Sequence, residues 1–352
     1  GHDLPARMIK ADIEEELPGT EVEIANGLEA MGRLVSSVVR GGSRVVIVPS
    51  LGGKITQMEL GGRQWLWASD VMPYAMPDEN ESYAETADSG GYDECFPTVA
   101  SCKVPTWVKG FGGIELPDHG ELCSQKPAID VRTSPDGQSA TTAWIGRRLP
   151  YRLTREVRVT PSGAVEIEYD ATNMGTDRVP FIWSAQPVFP LTSETRIEIA
   201  MATRLHVYAQ HEISIGLGAT DLRWPMVRSQ GKLLDLSRPY AVAKRYASKV
   251  FLEMREGRAA VIEDGLRLEL TFAIDEIPHV GIWINHGGWS PLKRVKPYQN
   301  FTLQPCIGAP DTLEEALGAW KSAHWLDAGE SRRWSMRWRA TPQAPLPDDV
   351  RS

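Results

Sequence analysis

Cysteine is scarce in this chain, four among 352 residues, and the spacing excludes more than the number does. Cys95, Cys102, Cys123 and Cys306 form no C-x-x-C pair and have no histidines at zinc-finger spacing. Neither a structural zinc site nor a disulfide framework is expected, and the four read as buried free thiols. Basic charge is also short: 38 Lys and Arg stand against 46 Asp and Glu, a net charge of −8. That balance argues against nucleic-acid partners and against an anionic membrane surface. No apolar run approaches the roughly 18 residues of a spanning helix, and no signal-peptide pattern is present, so an integral membrane reading is set aside. There is no repeating βα unit, Gly-rich phosphate loop, internal repeat or low-complexity tract. No cofactor is expected, and a metal would need carboxylates and histidines converging from distant segments. The cytoplasm is the favoured compartment, although a first residue of Gly rather than Met is compatible with a removed export signal. Nothing in the composition selects an oligomeric state.

What the chain does have is turns and alternation. Gly (31) and Pro (25) are plentiful, and between them lie segments of period two. Residues 43–49 and 54–60 flank the turn Ser50-Leu-Gly-Gly53 and read as a hairpin that ends at Gly61-Gly62. Residues 151–160, 164–171, 196–201, 266–272 and 333–339 alternate apolar and polar side chains, the mark of antiparallel strands with one face on a core. Helical periodicity is confined to short pieces, chiefly 311–319, where Asp311 or Thr312 would cap. The expected fold is all-β, a large antiparallel sandwich with few short helices. Although 352 residues would allow two domains, all-β folds reach this size as one unit. The expected division is an acidic arm at 1–30, holding Asp12, Glu14, Glu15 and Glu16, one β domain at 31–342, and a tail at 343–352.

Several segments carry chemistry-bearing side chains. In Ser89-Gly-Gly-Tyr-Asp-Glu-Cys-Phe-Pro-Thr98, Asp93 and Glu94 are adjacent, so on a strand only one of them faces a given site. Leu116-Pro-Asp-His-Gly-Glu-Leu122 places Asp118, His119 and Glu121 within four positions. The imidazole titrates near neutrality, and a carboxylate beside it would orient it and hold its proton. A solvated carboxylate or a loop histidine bonded to a carbonyl is the plain alternative for each. Gly281-Ile-Trp-Ile-Asn-His-Gly-Gly-Trp289 mixes the indoles of Trp283 and Trp289 with Asn285 and His286, a combination suited to the apolar faces and polar rims of sugars. Trp (12) outnumbers Phe (7), which points weakly the same way, though core packing explains most single tryptophans. Gln186 lies in Phe181–Phe189, and Gln304 sits near the end of the apolar segment 301–311. His206 and His211, five apart on a strand, would fall on opposite faces and not share a metal. Lys293, Arg294 and Lys296 would suit a phosphate but read more simply as a solvated loop.

Taken in order, these segments resemble the aldose 1-epimerase (galactose mutarotase-like) superfamily. The resemblance rests on Gly-Gly-Lys-Ile at 52–55, Gly-Gly-x-x-x-x-Phe-Pro at 90–97, and Asp-His-Gly at 118–120. It continues through Tyr-x-x-x-Asn-x-Gly at 169–175, Trp-Ser-Ala-x-Pro-x-Phe at 183–189, and Pro-x-x-Gly-x-Pro-Asp at 305–311, spanning roughly residues 30–340. It implies a β-supersandwich binding a monosaccharide in a groove across one sheet. In that family a Glu takes the proton of the anomeric hydroxyl, a His protonates the ring oxygen, and the opened ring closes to the other anomer. His119 matches the family's sugar-contacting His, but Gln186 stands at the acid His position and Gln304 at the base Glu position. A carboxamide exchanges hydrogen bonds but no proton near neutral pH, and each missing acid–base group is worth about 10²–10⁴-fold in rate.

Two expectations follow for a small-molecule carbohydrate partner. One is a sugar-active enzyme whose proton carriers have moved to His119 with Asp93, Glu121 or His286. Glu94, Asp118, Gln186, Trp283, Asn285, His286 and Gln304 would then contact the substrate, and epimerisation, or glycoside cleavage by elimination or hydrolysis, would be the reaction. The other is a carbohydrate-binding or sensing protein that kept the groove and lost the chemistry.

Overall fold

The structure, a computed structural model, describes residues 22–25, 42–135, 137–215 and 222–344. Most of the acidic arm and of the tail lies outside these residues, but Val22–Ala25 pairs antiparallel with Arg44–Val48. Seven strands carry the site: β1 (Lys54–Leu60), β2 (Tyr92–Cys95), β3 (Trp183–Pro190), β4 (Arg196–His211), β5 (Tyr246–Glu263), β6 (His279–His286) and β7 (Gln299–Ile307). They belong to a sixteen-stranded antiparallel sheet ordered Val22–Ala25, Arg44–Val48, β1, β2, β3, β7, β6, β5, Leu266–Phe272, Ser331–Pro342, Val165–Asn173, Tyr151–Val159, Gly137–Ile145, Ala128–Ser134. Off this path, β4 pairs with β5 and Arg63–Gln64 with β1. The antiparallel β architecture read from alternation is the one observed, and the strands at 54–60 and 266–272 have the expected bounds.

Folding the sheet back on itself makes the sandwich. The eighteen-residue β5 pairs with β6 through Tyr246–Glu253 and with Leu266–Phe272 through Arg258–Glu263, so it passes from one layer to the other. Side chains of both layers then meet in one core. Trp183 of β3 lies 5.3 Å from Trp334 of the opposite layer, which in turn stacks on Tyr169. Five tryptophans (Trp65, Trp144, Trp183, Trp334 and Trp338) are fully buried, so core packing accounts for much of the tryptophan content.

Two short helices close the loops at the site. The first, α1 (Tyr83–Thr86), is capped by Ser82. The second, α2 (Leu313–Leu317), is shorter than its pattern implied and is capped by Thr312, whose hydroxyl accepts from the Glu315 amide at 3.1 Å. Three of the four cysteines are buried and all four are free thiols. Among the described residues, no helix is long and apolar enough to cross a membrane.

Candidate functional site

Pairing register builds one row of side chains across the sheet. Gln186 pairs with Asp93, and Gly281 with Gln304. The β3–β7 register, with Ser184 opposite Cys306 and Val188 opposite Thr302, sets Gln186 across from Gln304. Phe251 continues the row beside Gly281 on β5. Strands lie about 4.8 Å apart and alternate residues share a face. Asp93, Gln186, Gln304, Gly281 and Phe251 therefore line one surface, and Thr302, Trp283 and Lys249 share it one step along. With only hydrogen at Gly281, the floor is open there: a Cβ would stand 3.1 Å from the Phe251 ring and 3.3 Å from the Gln304 amide oxygen.

Asp93 is fixed from below. The left-handed pair Gly90 (φ 98°) and Gly91 (φ 75°) brings the chain against its neighbours, since a Cβ on Gly90 would lie 2.1 Å from the Trp67 carbonyl oxygen. Lys54, buried, reaches Asp93 Oδ2 at 3.1 Å and donates to the Gly90 carbonyl at 2.7 Å. The Tyr83 hydroxyl donates to the same carboxylate oxygen. Burial and the Asp93 charge push the Tyr83 phenol well above its ordinary value, so it remains a donor. Tyr74, over whose ring Lys54 sits at 5.1 Å, is raised to about 12 for the same reasons.

His119 joins this cluster through Tyr83, on which its ring stacks at 3.7 Å and 11°. The residue takes a left-handed φ of 62°, strained for a non-glycine. Its amide donates to Val99 O at 2.5 Å, and Gly120, whose Cβ would meet Phe96 O at 2.4 Å, completes the turn. Nδ1 bonds Asp118 Oδ1 at 3.0 Å, leaving Nε2 as the nitrogen open to a ligand. Burial disfavours the imidazolium, but Asp118, Asp88 and Asp93 outweigh it and hold the ring's pKa above its ordinary value. Asp88 is itself raised to about 6, chiefly by burial, against the pull of His119 and Lys54.

Around Gln304 a second cluster forms. Lys249 Nζ donates to Gln304 Oε1 at 2.6 Å and to Asp311 Oδ1 at 2.8 Å, while Gln304 Nε2 donates to Thr302 Oγ1 at 2.6 Å. Both ends of the Gln304 amide are thus held by the protein. Gln186, by contrast, makes no side-chain hydrogen bond among the described residues, and its amide is free to meet a ligand. Aromatic rings stand at either end. Trp320 lies 6.0 Å from Phe251, and the half-buried Trp283 meets Trp289 and His211 edge-on, each at 6.0 Å.

Of the residues singled out from sequence, Asp93, Asp118, His119, Gln186, Trp283 and Gln304 come together here. The others do not. Glu94 points into the core from the opposite face of β2. It accepts from Tyr169 at 2.5 Å and from Trp183 Nε1 at 2.9 Å, with Arg155 at 3.5 Å. Glu121 is fully buried and anchors a turn, accepting from the amides of Arg147 and Arg148 at 3.1 and 3.0 Å and from the Tyr151 hydroxyl at 3.1 Å. Asn285 ties the turn at 286–289, accepting from Gly288 N and Trp289 N at 3.1 Å each. His286 spends both ring nitrogens, on Gln299 at 2.9 Å and on the Val242 carbonyl at 3.1 Å.

His206 and His211 depart from the expected opposite faces. A register shift between Val207 and Ala209 adds one residue, and the two histidines pair with Phe251 and Ala247, which share a face. They stand four ladder positions apart, about 13 Å, and no metal-holding cluster occurs among the described residues. Lys293, Arg294 and Lys296 are exposed, while Val295 between them packs on Met72 and Tyr298. Lys54, Tyr83, Asp88, Lys249 and Asp311 were not foreseen as site residues. For Lys54 and Lys249 the one sequence signal is a charge on a strand whose neighbours are buried, as in Tyr246–Phe251; Tyr83, Asp88 and Asp311 lie outside the strands.

No protein-family model matches the chain, and no curated protein matches it in sequence. Solved structures do match. The Slr1438 protein from Synechocystis sp. PCC 6803 has a TM-score of 0.61 at 16% identity, covering 86% of this chain and 92% of that one. A galactose mutarotase-like protein from Lactobacillus casei ATCC 334 has 0.57 at 14% identity, covering 85% and 97%. The galactose mutarotase related enzyme from Lactobacillus acidophilus has 0.57 at 14% identity, covering 86% and 97%. At such identities the likeness is one of fold, and the chain has the fold of the galactose mutarotase-like structures that its motif order resembles.

Proposed function

We propose that this protein binds a sugar across the Asp93–Gln186–Gln304 row and moves protons at its anomeric centre, with His119 as a proton carrier. The observation that carries the reading is the Asp118–His119 pair. One ring nitrogen is fixed by a carboxylate, the other is unspent, and the ring is stacked on Tyr83 beside the groove. The carboxylate beside it favours the charged form of the imidazole, the form with a proton to give to a ring oxygen. Gln186 would orient a hydroxyl without exchanging protons, and Trp283 and Trp289 would meet the apolar face of the sugar. The buried thiols of Cys95 and Cys306 are pushed up by burial, Cys306 to about 12, and are unsuited to nucleophilic work.

A second reading, sugar binding without turnover, is favoured by the amides of Gln186 and Gln304 standing where the resemblance puts the family's two proton carriers. Anomer-exchange NMR over a panel of free aldoses, with calorimetry on the same sugars, separates the readings. Exchange above the buffer rate that His119→Ala abolishes is the expected result. Binding with exchange at the buffer rate selects the second reading, and no binding by any sugar removes both.

A further inference from the structure

We infer that Asp311 is the base of this site, supplying the carboxylate that position 304 lacks, and that Lys249 positions it; the inference rests on the enzymatic reading above. Gln304 is unavailable for the task in two ways. Its amide takes up no proton near neutrality, and its oxygen and nitrogen are already engaged by Lys249 and Thr302 at 2.6 Å each. Following the hydrogen bonds outward from Gln304, the next groups are Lys249, a cation, and then Asp311. Of the Asp311 carboxylate, Oδ1 is held by Lys249 at 2.8 Å, and Oδ2 makes no hydrogen bond among the described residues. The side chain keeps 18% of its surface exposed, where that of Lys249 keeps 7%. A carboxylate oxygen without a hydrogen bond among the described residues, one ammonium away from the amide, is the proton acceptor to which the hydrogen bonds lead from the place where the resemblance puts a base.

The backbone ties this acceptor to the donor. Val99 N and Ala100 N both donate to Asp311 O, at 2.9 and 2.7 Å, and Val99 O accepts from His119 N at 2.5 Å. The Thr98 hydroxyl donates to Asp311 O at 3.3 Å and accepts from Leu313 N at 3.1 Å. Residues 98–100 therefore clamp His119 on one side and Asp311 on the other, so the two titratable groups keep a fixed separation without touching. Lys249 carries a charge opposite to that of Asp311 and, at 2.8 Å from Oδ1, aims its carboxylate. The step balances without further reagents. Asp311 takes the proton of the anomeric hydroxyl as the C1=O1 double bond forms. The C1–O5 bond breaks, its electron pair stays on O5, and the His119 imidazolium delivers a proton there. Rotation about C1–C2 and the reverse transfers give the other anomer.

The test uses the full chain and anomer-exchange NMR on whichever free aldose the wild type turns over. Asp311→Asn keeps shape and hydrogen bonds, so sugar affinity should stay within about threefold while exchange falls by about 10²-fold or more. Adding Gln304→Glu to Asp311→Asn returns a carboxylate beside Lys249 and should recover at least about tenfold of the lost rate. Lys249→Met should lower kcat by about tenfold or more with KM within about threefold, a split that a purely structural lysine would not cause. If the wild type is active and depends on His119, yet Asp311→Asn leaves the rate and the pH profile unchanged, the assignment of Asp311 is wrong and the parent reading stands. If the wild type itself exchanges no anomers, the parent reading fails first and takes this one with it.

Discussion

Replacing Arg155 by Met tests whether Glu94 is a core group or a groove group. The Arg155 side chain is fully buried, donates to the Gly53 carbonyl at 2.7 Å, and sits over the Trp144 ring at 5.1 Å and beside Glu94 at 3.5 Å. Burial, only partly offset by Arg155 and the hydrogen bonds from Tyr169 and Trp183, raises the Glu94 carboxyl from 4.5 to about 7. Its folded pKa thus lies above its unfolded one, so the native state holds a proton that the unfolded chain releases between these values. Stability from this group is fully present below pH 4.5 and is lost as pH rises through about 7. At 1.36 kcal/mol per unit that loss is about 3 kcal/mol. Removing Arg155 should therefore cost most where Glu94 is ionised: about 3–5 kcal/mol at pH 8, where a buried anion loses its partner. At pH 5 a neutral carboxyl needs no cation, and the cost should shrink to about 2 kcal/mol for the lost hydrogen bond and packing. Urea unfolding at the two pH values measures both numbers, and calorimetry at pH 5 should find sugar affinity unchanged. A cost equal at both pH values would refute the coupling, and a selective loss of sugar affinity in folded protein would return Glu94 to the groove.

Glu121→Ala should lower stability by about 2–4 kcal/mol, because the Arg147 and Arg148 amides and the Tyr151 hydroxyl lose a common acceptor. Anomer exchange per folded molecule should stay at the wild-type rate, and a lost rate with intact stability would contradict this placement. Asp118→Asn removes the neighbour that does most to raise His119, so the alkaline limb of the pH–rate profile should move down. An unmoved limb would separate His119 from the reaction. Trp283→Ala, at a half-buried position, should weaken sugar binding by about fivefold, an aromatic contact being worth about 1 kcal/mol, with little change in the urea midpoint.

The strands were legible where one face meets the core and the other meets water, because that contrast writes itself as period two. Lys54–Leu60 and Leu266–Phe272 are the plain instances. Adjacency on a strand likewise separated Asp93 from Glu94 correctly in principle, without saying which one faces the groove. The site was legible only as far as local patterns reach. Lys249 stands in a strand of buried residues, and its partner Asp311 comes 62 residues later, with three further strands in between. Tyr83 meets Asp93 only because the two left-handed glycines fold the segment back. Glu121 seemed a partner for His119 by proximity in sequence, but its acceptors are used 26 to 30 residues away. The faces of His206 and His211 turned on a bulge, which no count of residues between them reveals.

The central claim is that distant segments form one sugar groove between the imidazole of His119 and the carboxylate of Asp311. A crystal structure of the protein soaked with a free aldose that binds in calorimetry tests it most directly. The account predicts the sugar ring over the Gln186–Gln304 row, with its ring oxygen toward His119 Nε2 and its anomeric hydroxyl toward Asp311. A sugar seated elsewhere, such as in the open depression bounded by Asp78, Glu81 and Arg147, with the row left empty, would contradict it.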